Sequence, residues 1–201
     1  MTPSSFTKKY FDDISLILSQ IDKSVLDKLV DLLWEIYIER KHMFFIGNGG
    51  SASLSSHLAA DLGKNTISHS STVPRFQTQS LTDNVAWITA LANDLKYRDI
   101  FVEQLKNLSN PGDLLFVISG SGNSPNLVQA VKWARLNKIK TVGLLGFDGG
   151  KLKNLVKFMV LVPSLSYEYV EGVHAVIAHY LVASLKFRFN RRLSTITSNN
   201  I

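Results

Sequence analysis

A run of small and polar residues spans Gly47-Asn48-Gly49-Gly50-Ser51. It follows the apolar run Met43-Phe44-Phe45-Ile46 and precedes a helix-like pattern from Ala52 to Leu62. A glycine loop at a helix N-terminus presents backbone N–H groups in the field of the helix dipole, which favours an anion. His57 and Asp61 lie four positions apart in that helix, so they project from one face. An acid/base or metal pair beside an anion site suggests chemistry on a phosphorylated substrate.

A second loop, Ser119-Gly120-Ser121-Gly122-Asn123-Ser124, follows the apolar run Leu114 to Ile118. Pro125 then marks the first turn of another helix. The serine hydroxyls and backbone donors of this loop suit a phosphate monoester. A third turn, Gly146 to Gly150, also follows a strand-like run, and we interpret it as structural.

The first loop also matches the dinucleotide fingerprint G-x-G-x-x-G/A, which alone is a weak signal. That fingerprint needs an acidic ribose partner about twenty residues further on. Position 72 is threonine, while Asp61 comes too early and Asp83 somewhat late. The chain also lacks a G-x-x-x-x-G-K-[ST] nucleotide loop. These absences disfavour a nicotinamide cofactor.

The C-terminal helical pattern contains Glu171, His174 and His179. Glu171 and His179 are eight positions apart, which places them about 80° around an ideal helix. They could therefore converge on one cleft from successive turns. A lone histidine on an apolar helix is usually a packed core residue, and we interpret His174 in that way. A carboxylate and a histidine opposite the His57/Asp61 pair would suit zinc.

Four short apolar runs predict strands that are buried on both faces of a parallel sheet, at 43–46, 114–118, 141–145 and 159–162. Helical patterns separate or follow them, at 51–62, 84–93, 99–108, 125–136 and 168–187. This alternation predicts an α/β fold with a doubly wound parallel sheet flanked by helices. Two further helices within the first forty residues carry apolar periodicity and no reactive cluster, so we expect them to pack or oligomerise.

The 201 residues suit one domain, expected over residues 1–190, with a polar, flexible tail at 191–201. The segment 65–79 has no clear periodicity and is predicted to be a surface loop near the site. The net charge of +6 is partly local, and we interpret the basic cluster at 186–192 as a helix end rather than a nucleic-acid or membrane patch. The absence of cysteine fits a cytoplasmic protein. No apolar run approaches the ~18 residues of a membrane-spanning helix, and we expect no signal peptide.

Six features together resemble the sugar isomerase (SIS) domain family, in its sedoheptulose 7-phosphate isomerase branch. They are GNGGSA at 47–52, His57 with Asp61, SLTDN at 80–84, AND at 92–94, ISGSGNSPN at 118–126, and the Glu171…His179 helix. The resemblance implies an SIS fold and a homotetramer that is built partly from the N-terminal helices and has active sites between subunits. It also implies a phosphorylated sugar substrate and a product used for lipopolysaccharide, capsule or another glycoconjugate.

The resemblance also implies roles for individual residues. Asp61 falls at the position of the catalytic base and His179 at that of the complementary acid. The expected zinc ligands are His57, Asp61, Glu171 and His179. The expected substrate-binding residues are Asn48, Gly49, Ser51, Asp94, Ser119, Gly120, Ser121, Ser124 and Glu171.

Four positions depart from the pattern of the branch. Asp61 stands where glutamate is usual, and Glu171 where many members have glutamine. Gly120 replaces a frequent threonine, and Gly172 stands where an acidic residue is common. An aspartate at 61 is one methylene shorter than glutamate, so the backbone must adjust or the site geometry must change.

Two alternatives remain open at this point. Some proteins of the branch are non-catalytic tetramers that bind the replication initiator or sense sugar phosphates. An isomerase of a different sugar phosphate would carry the same loops, because the phosphate dominates what the loops recognise. Retention of both His57 and His179 favours an enzyme.

Overall fold

The computed structural model describes residues 2–66 and 73–198 of the chain. Two helices come first, α1 (Pro3–Gln20) and α2 (Lys23–Ile38). The Thr2 hydroxyl caps α1 by accepting from the N–H of Ser5, and the Asp22 carboxylate caps α2 in the same way. The second helix buries an apolar face, whereas α1 leaves Phe6 and Phe11 largely exposed in the single chain. The two predicted N-terminal helices are therefore present.

Five parallel strands form one sheet in the order β2-β1-β3-β4-β5. Their bounds are β1 (His42–Ile46), β2 (Gln77–Ser80), β3 (Leu114–Ser119), β4 (Lys140–Leu145) and β5 (Phe158–Leu161). The apolar runs correctly predicted four of these strands. The prediction of a loop over residues 65–79 is wrong at both ends. Asn65 still belongs to a helix, and Gln77 begins edge strand β2, whose polar residues carry no apolar run. Residues 67–72 of that loop lie outside the described part of the chain.

Helices cover both faces of the sheet, as a doubly wound fold requires. They are α3 (Gly50–Asn65), α4 (Val85–Asp94), α5 (Ile100–Leu108), α6 (Pro125–Leu136) and α7 (Tyr167–Ser198), with 3-10 turns at Tyr97–Asp99 and Lys151–Asn154. Alternate residues of β1 and β3 enter two separate cores. Met43 and Phe45 pack with α2, α3 and α7, while Phe44 and Ile46 pack with α5 and α6.

The last helix continues to Ser198, past the domain boundary predicted at residue 190. The tail predicted to begin at 191 is therefore helical through 198. Residues 199–201 lie outside the described part. The extent of the single domain stays a prediction.

Candidate active site

Both predicted anion loops lie at the carboxyl ends of adjacent strands. The first connects β1 to α3, the second connects β3 to α6, and Ile46 pairs with Val117 near the ends of the two strands. The chain leaves β1 for β2 on one side and later returns as β3 on the other. This reversal makes the β1/β3 edge the topological switch point, where open α/β sheets bind ligands.

The first loop turns tightly into α3. Gly49 caps the helix with a φ of 54°, a left-handed conformation, and a Cβ there would meet no atom within 4 Å. Its carbonyl accepts from the N–H of Ser53 at 3.2 Å. Ser51 is buried in the first turn. A Cβ on Gly47 would lie 2.5 Å from the Ser51 carbonyl oxygen, so glycine is required for the close approach of loop and helix.

Hydrogen bonds within the second loop, and others from residues 151–152, fix its conformation. The buried Ser119 hydroxyl accepts from the N–H of Gly122 at 3.0 Å. Behind the loop, the N–H of Leu152 donates to the Gly122 carbonyl at 3.0 Å, and the N–H of Lys151 donates to Asn123 Oδ1 at 3.1 Å. The turn at 146–150 leads directly into this contact, which supports its structural interpretation. Ser121 and Ser124 lie half-buried on the same loop.

Gly120 is closely packed against an aromatic ring that the sequence reasoning did not single out. A Cβ on Gly120 would lie 2.8 Å from Tyr167 Cε1. The Tyr167 ring in turn packs edge-on against Phe147, with ring centroids 4.7 Å apart. Tyr167 therefore occupies the space that the side chain of a threonine at position 120 would need.

Helices α3 and α7 bring His57, Asp61 and His179 together. Asp61 Oδ2 lies 3.2 Å from His57 Nε2 and 3.9 Å from His179 Nδ1. One ligand atom from each of the three side chains lies within 4.8 Å of the others. Asn65, which the sequence reasoning missed, donates its Nδ2 to Asp61 Oδ1 at 2.6 Å. The shorter aspartate side chain therefore still lies close to both imidazoles.

Glu171 does not join this cluster within the described residues. Its Oε2 lies 2.6 Å from where a Cβ on Gly50 would stand, at the N-terminus of α3. The physical reason is the helical spacing, since Glu171 faces the start of α3 while His179 faces Asp61 about two turns further along α7. Glu171 and His57 both line a cavity of about 410 Å³ with Ser51 and His174.

Asn48 lies in the first loop, whereas Asp94 is the last residue of α4. Asn48 is half-buried and forms hydrogen bonds with Asn126 and Tyr97. Asp94 ends α4, is exposed, and accepts from the Asn93 side chain at 2.9 Å. Tyr97 and Asn126 are thus additional residues beside Asn48, and the sequence reasoning assigned no role to either.

His174 is fully buried, as expected of a core histidine. Neither ring nitrogen makes a hydrogen bond of good geometry, and burial lowers the pKa of this imidazole to about 4. The backbone of Leu145 opposes only part of that shift. His174 is therefore neutral in the folded protein over most of the pH range.

We expect His174 to make the protein less stable at acid pH. Its pKa is about 6.5 when unfolded and about 4 when folded, so the unfolded chain takes up the proton first as the pH falls. Stability is thus unaffected by this group above pH 6.5 and falls by about 3 kcal/mol by pH 4. A His174→Leu variant, unfolded in urea between pH 7 and pH 4, should show a shallower pH dependence than the wild type. Parallel curves for the two proteins would contradict this effect.

Comparison with known proteins identifies the family. Residues 9–146 match the SIS domain family. The chain is 38% identical over 138 residues to the phosphoheptose isomerase of Akkermansia muciniphila, covering 68% of this chain and 71% of that protein. It is 32% identical over 190 residues to the phosphoheptose isomerase of a Nitratiruptor species, covering 86% of this chain and 100% of that protein.

Solved structures give the same result. The structure of phosphoheptose isomerase GmhA from Neisseria gonorrhoeae superposes with a TM-score of 0.83 at 25% identity, covering 92% of this chain and 98% of that one. A phosphoheptose isomerase from Francisella tularensis superposes with the same TM-score and identity, covering 94% and 100%.

The parallel sheet, with serine- and glycine-rich loops at its switch point, and the family match define this protein as a domain of the SIS class. The predicted fold class is confirmed. The chain belongs to the SIS domain family, within its phosphoheptose isomerase branch.

Proposed function

We propose that the protein is an aldose–ketose isomerase that converts sedoheptulose 7-phosphate to D-glycero-D-manno-heptose 7-phosphate. The observation that carries this proposal is that the Asp61 carboxylate, on the helix that begins at the first anion loop, α3, lies near the imidazoles of His57 and His179. The chain is 38% and 32% identical to two phosphoheptose isomerases, those of Akkermansia muciniphila and of a Nitratiruptor species. Both lines of support point to proton transfer on a phosphorylated ketose.

The two loops bind the substrate at its phosphate, remote from the reacting carbons. The donors are the hydroxyls of four serines and the backbone N–H groups of two glycines, in the loops that lead from β1 into α3 and from β3 into α6. They are Ser51, Ser119, Ser121, Ser124, Gly49 and Gly120. Ser119 is already engaged within its loop and acts mainly by shaping it. Asn48, Asp94 and Glu171 face the sugar. Phosphate binding energy thereby positions the carbon that loses its proton.

Isomerisation moves a proton between C1 and C2 through an enediolate. Asp61 accepts the proton from one carbon and returns it to the other, with its second oxygen held by Asn65. His179, next to Asp61 on the exposed side of the cluster, donates to and accepts from the substrate oxygens. Because the two groups are adjacent, one bound ketose can reach both.

The cluster also fits a zinc ion, expected at one per subunit. Two imidazoles and one carboxylate are a donor set that zinc commonly takes in catalytic sites, and their ligand atoms lie within 4.8 Å of one another. His57, Asp61 and His179 would hold the ion, and Glu171 is assigned to the substrate. A bound zinc ion would polarise the carbonyl and hydroxyl oxygens of the sugar.

We expect zinc binding to depend on His57. A His57→Ala variant should bind zinc at least tenfold more weakly than the wild type, because one of three ligands is lost. His42→Ala is the matched control, since His42 is also an exposed histidine beside an aspartate but lies on β1 away from the cluster. Competition with a chromogenic chelator gives the affinities without any assay of turnover. Equal affinities in all three proteins would place the metal elsewhere.

A homotetrameric assembly and a cytoplasmic location belong to the same proposal. The exposed apolar side chains Phe6, Phe11 and Leu16 on α1 support assembly through the N-terminal helices. Within the described residues, no helix combines the length and the apolar character needed to cross a bilayer. The product would supply heptose for lipopolysaccharide, capsule or another glycoconjugate.

The decisive experiment follows a panel of ketose phosphates by NMR with the purified protein, with and without zinc. We expect conversion of sedoheptulose 7-phosphate in preference to shorter ketose phosphates, with zinc increasing the rate. Preferred conversion of another ketose phosphate would reassign the substrate. A metal-free, inactive tetramer that binds the replication initiator would instead support the non-catalytic alternative.

A further inference from the structure

Three connections at the carboxyl edge of the sheet meet in one side-chain network centred on Asn48. Asn48 Nδ2 donates to Asn126 Oδ1 at 3.0 Å, and Asn126 Nδ2 donates back to Asn48 Oδ1 at 2.8 Å. The Tyr97 hydroxyl donates to the same Asn48 oxygen at 3.2 Å. The network therefore joins the β1–α3 loop to the first turn of α6 and to the 3-10 turn that follows α4.

The backbone determines which way the two amides point. The N–H of Leu127 donates to Asn126 Oδ1 at 3.0 Å, and a backbone N–H cannot accept. Asn126 must therefore turn its Nδ2 toward Asn48 Oδ1. Flipping the Asn48 amide would set N–H against N–H and oxygen against oxygen. The orientation of the Asn48 amide is thus dictated by the start of α6.

Burial makes this arrangement costly to break. Asn126 is only 1% exposed, so an unmade hydrogen bond there would leave a polar group without water. Tyr97, by contrast, is 58% exposed, so its ring contributes little packing. The main contribution of Tyr97 to the network is therefore its hydroxyl.

We propose that Asn126 and Tyr97 are positioning residues that hold the Asn48 amide for the sugar portion of a polyol phosphate. The inference rests on the proposed function, because Asn48 lies in the switch-point loop that would bind that substrate. The network uses one of the two N–H groups on Asn48 Nδ2, and the other serves a substrate oxygen. Asn126 also ties the first anion loop to the helix of the second, so phosphate and sugar contacts keep a fixed separation.

We expect Asn126→Ala to weaken sedoheptulose 7-phosphate binding, and to lower kcat/KM, by about tenfold, since the lost positioning is worth about one hydrogen bond. Tyr97→Phe removes only the hydroxyl and should cost about threefold. Both effects act through Asn48, so they should largely vanish in an Asn48→Ala background. This loss of additivity is the readout that a merely structural role would not produce.

Calorimetric measurement of sedoheptulose 7-phosphate binding accompanies the turnover assay. The two measurements distinguish a failure of the positioning inference from a failure of the proposed function. Asn137→Ala, at the other end of α6, is the matched control and should bind like the wild type. An active wild type with unchanged binding in Asn126→Ala would overturn the inference and leave the function standing. Losses that stay additive in the Asn48→Ala background would also overturn it. A wild type that binds sedoheptulose 7-phosphate without converting it would refute the function. The binding affinities of the single and double variants would then still test the inference. A wild type that binds no member of the ketose phosphate panel would overturn both.

Discussion

Replacing Asp61 by asparagine is expected to lower kcat by about 10²–10⁴-fold while the protein remains folded. An amide oxygen is not a base, so the variant cannot take the proton from the sugar carbon. The amide oxygen can still accept from Asn65, so we expect the cost to stability to be small. The measurements are kcat by NMR and the thermal unfolding midpoint, with zinc content determined on the same samples.

The control for Asp61→Asn is Glu103→Gln on α5. Glu103 is also a partly exposed helix carboxylate with a nearby basic partner, Lys106 at 2.6 Å, but it lies outside the site. The control should leave kcat unchanged because Glu103 lies outside the site. It should also leave the protein folded, since a surface ion pair contributes about 1 kcal/mol or less to the free energy of unfolding. An Asp61→Asn protein with near-normal kcat would remove Asp61 from the mechanism.

The parts of this site that follow from local rules were predictable from the sequence. His57 and Asp61 lie on one face because they are four positions apart in a helix, and the structure places their side chains 3.2 Å apart. The two glycine- and serine-containing loops were recognisable as strand-to-helix connections, because each follows a buried apolar run and precedes a helical pattern. Strand β2 could not be recognised in this way, because an edge strand of Gln, Thr, Gln and Ser has no continuous apolar run.

The parts that depend on packing between distant segments were not predictable. His179 meets Asp61 only because α7 crosses α3, whereas Glu171, on the same helix, meets the start of α3 instead. Helical periodicity predicted that Glu171 and His179 lie near one cleft. It could not predict that the two side chains meet different residues of α3. The Asn48–Asn126 pair spans 78 residues, and no local spacing announces such a contact. Tertiary geometry therefore decides which polar residues form a cluster and which form a positioning network.

The second large effect is expected from Gly122→Ala, which should lower kcat/KM by about 10²-fold. Gly122 has a φ of 64°, and its Cβ would lie 2.6 Å from the carbonyl carbon of Gly149. The Gly149 backbone cannot move aside as the end of a side chain can, so the second serine loop must shift. A displacement of about 1 Å at a positioning element is enough for a loss of that size. Strain and contact together should also cost about 2–4 kcal/mol of unfolding free energy.

Gly112→Ala separates the effect of backbone strain from that of the contact with Gly149. Gly112 has the same left-handed backbone conformation as Gly122, with a φ of 92°. A Cβ there would meet only the Lys41 side chain, which can move, at 2.9 Å. This control should lose about 1–2 kcal/mol of stability from backbone strain and keep its kcat/KM. If Gly112→Ala lost as much kcat/KM as Gly122→Ala, general destabilisation would explain both variants. A selective loss in Gly122→Ala, with weaker binding of inorganic phosphate, would instead show that the turn at 146–150 fixes the second serine loop from behind.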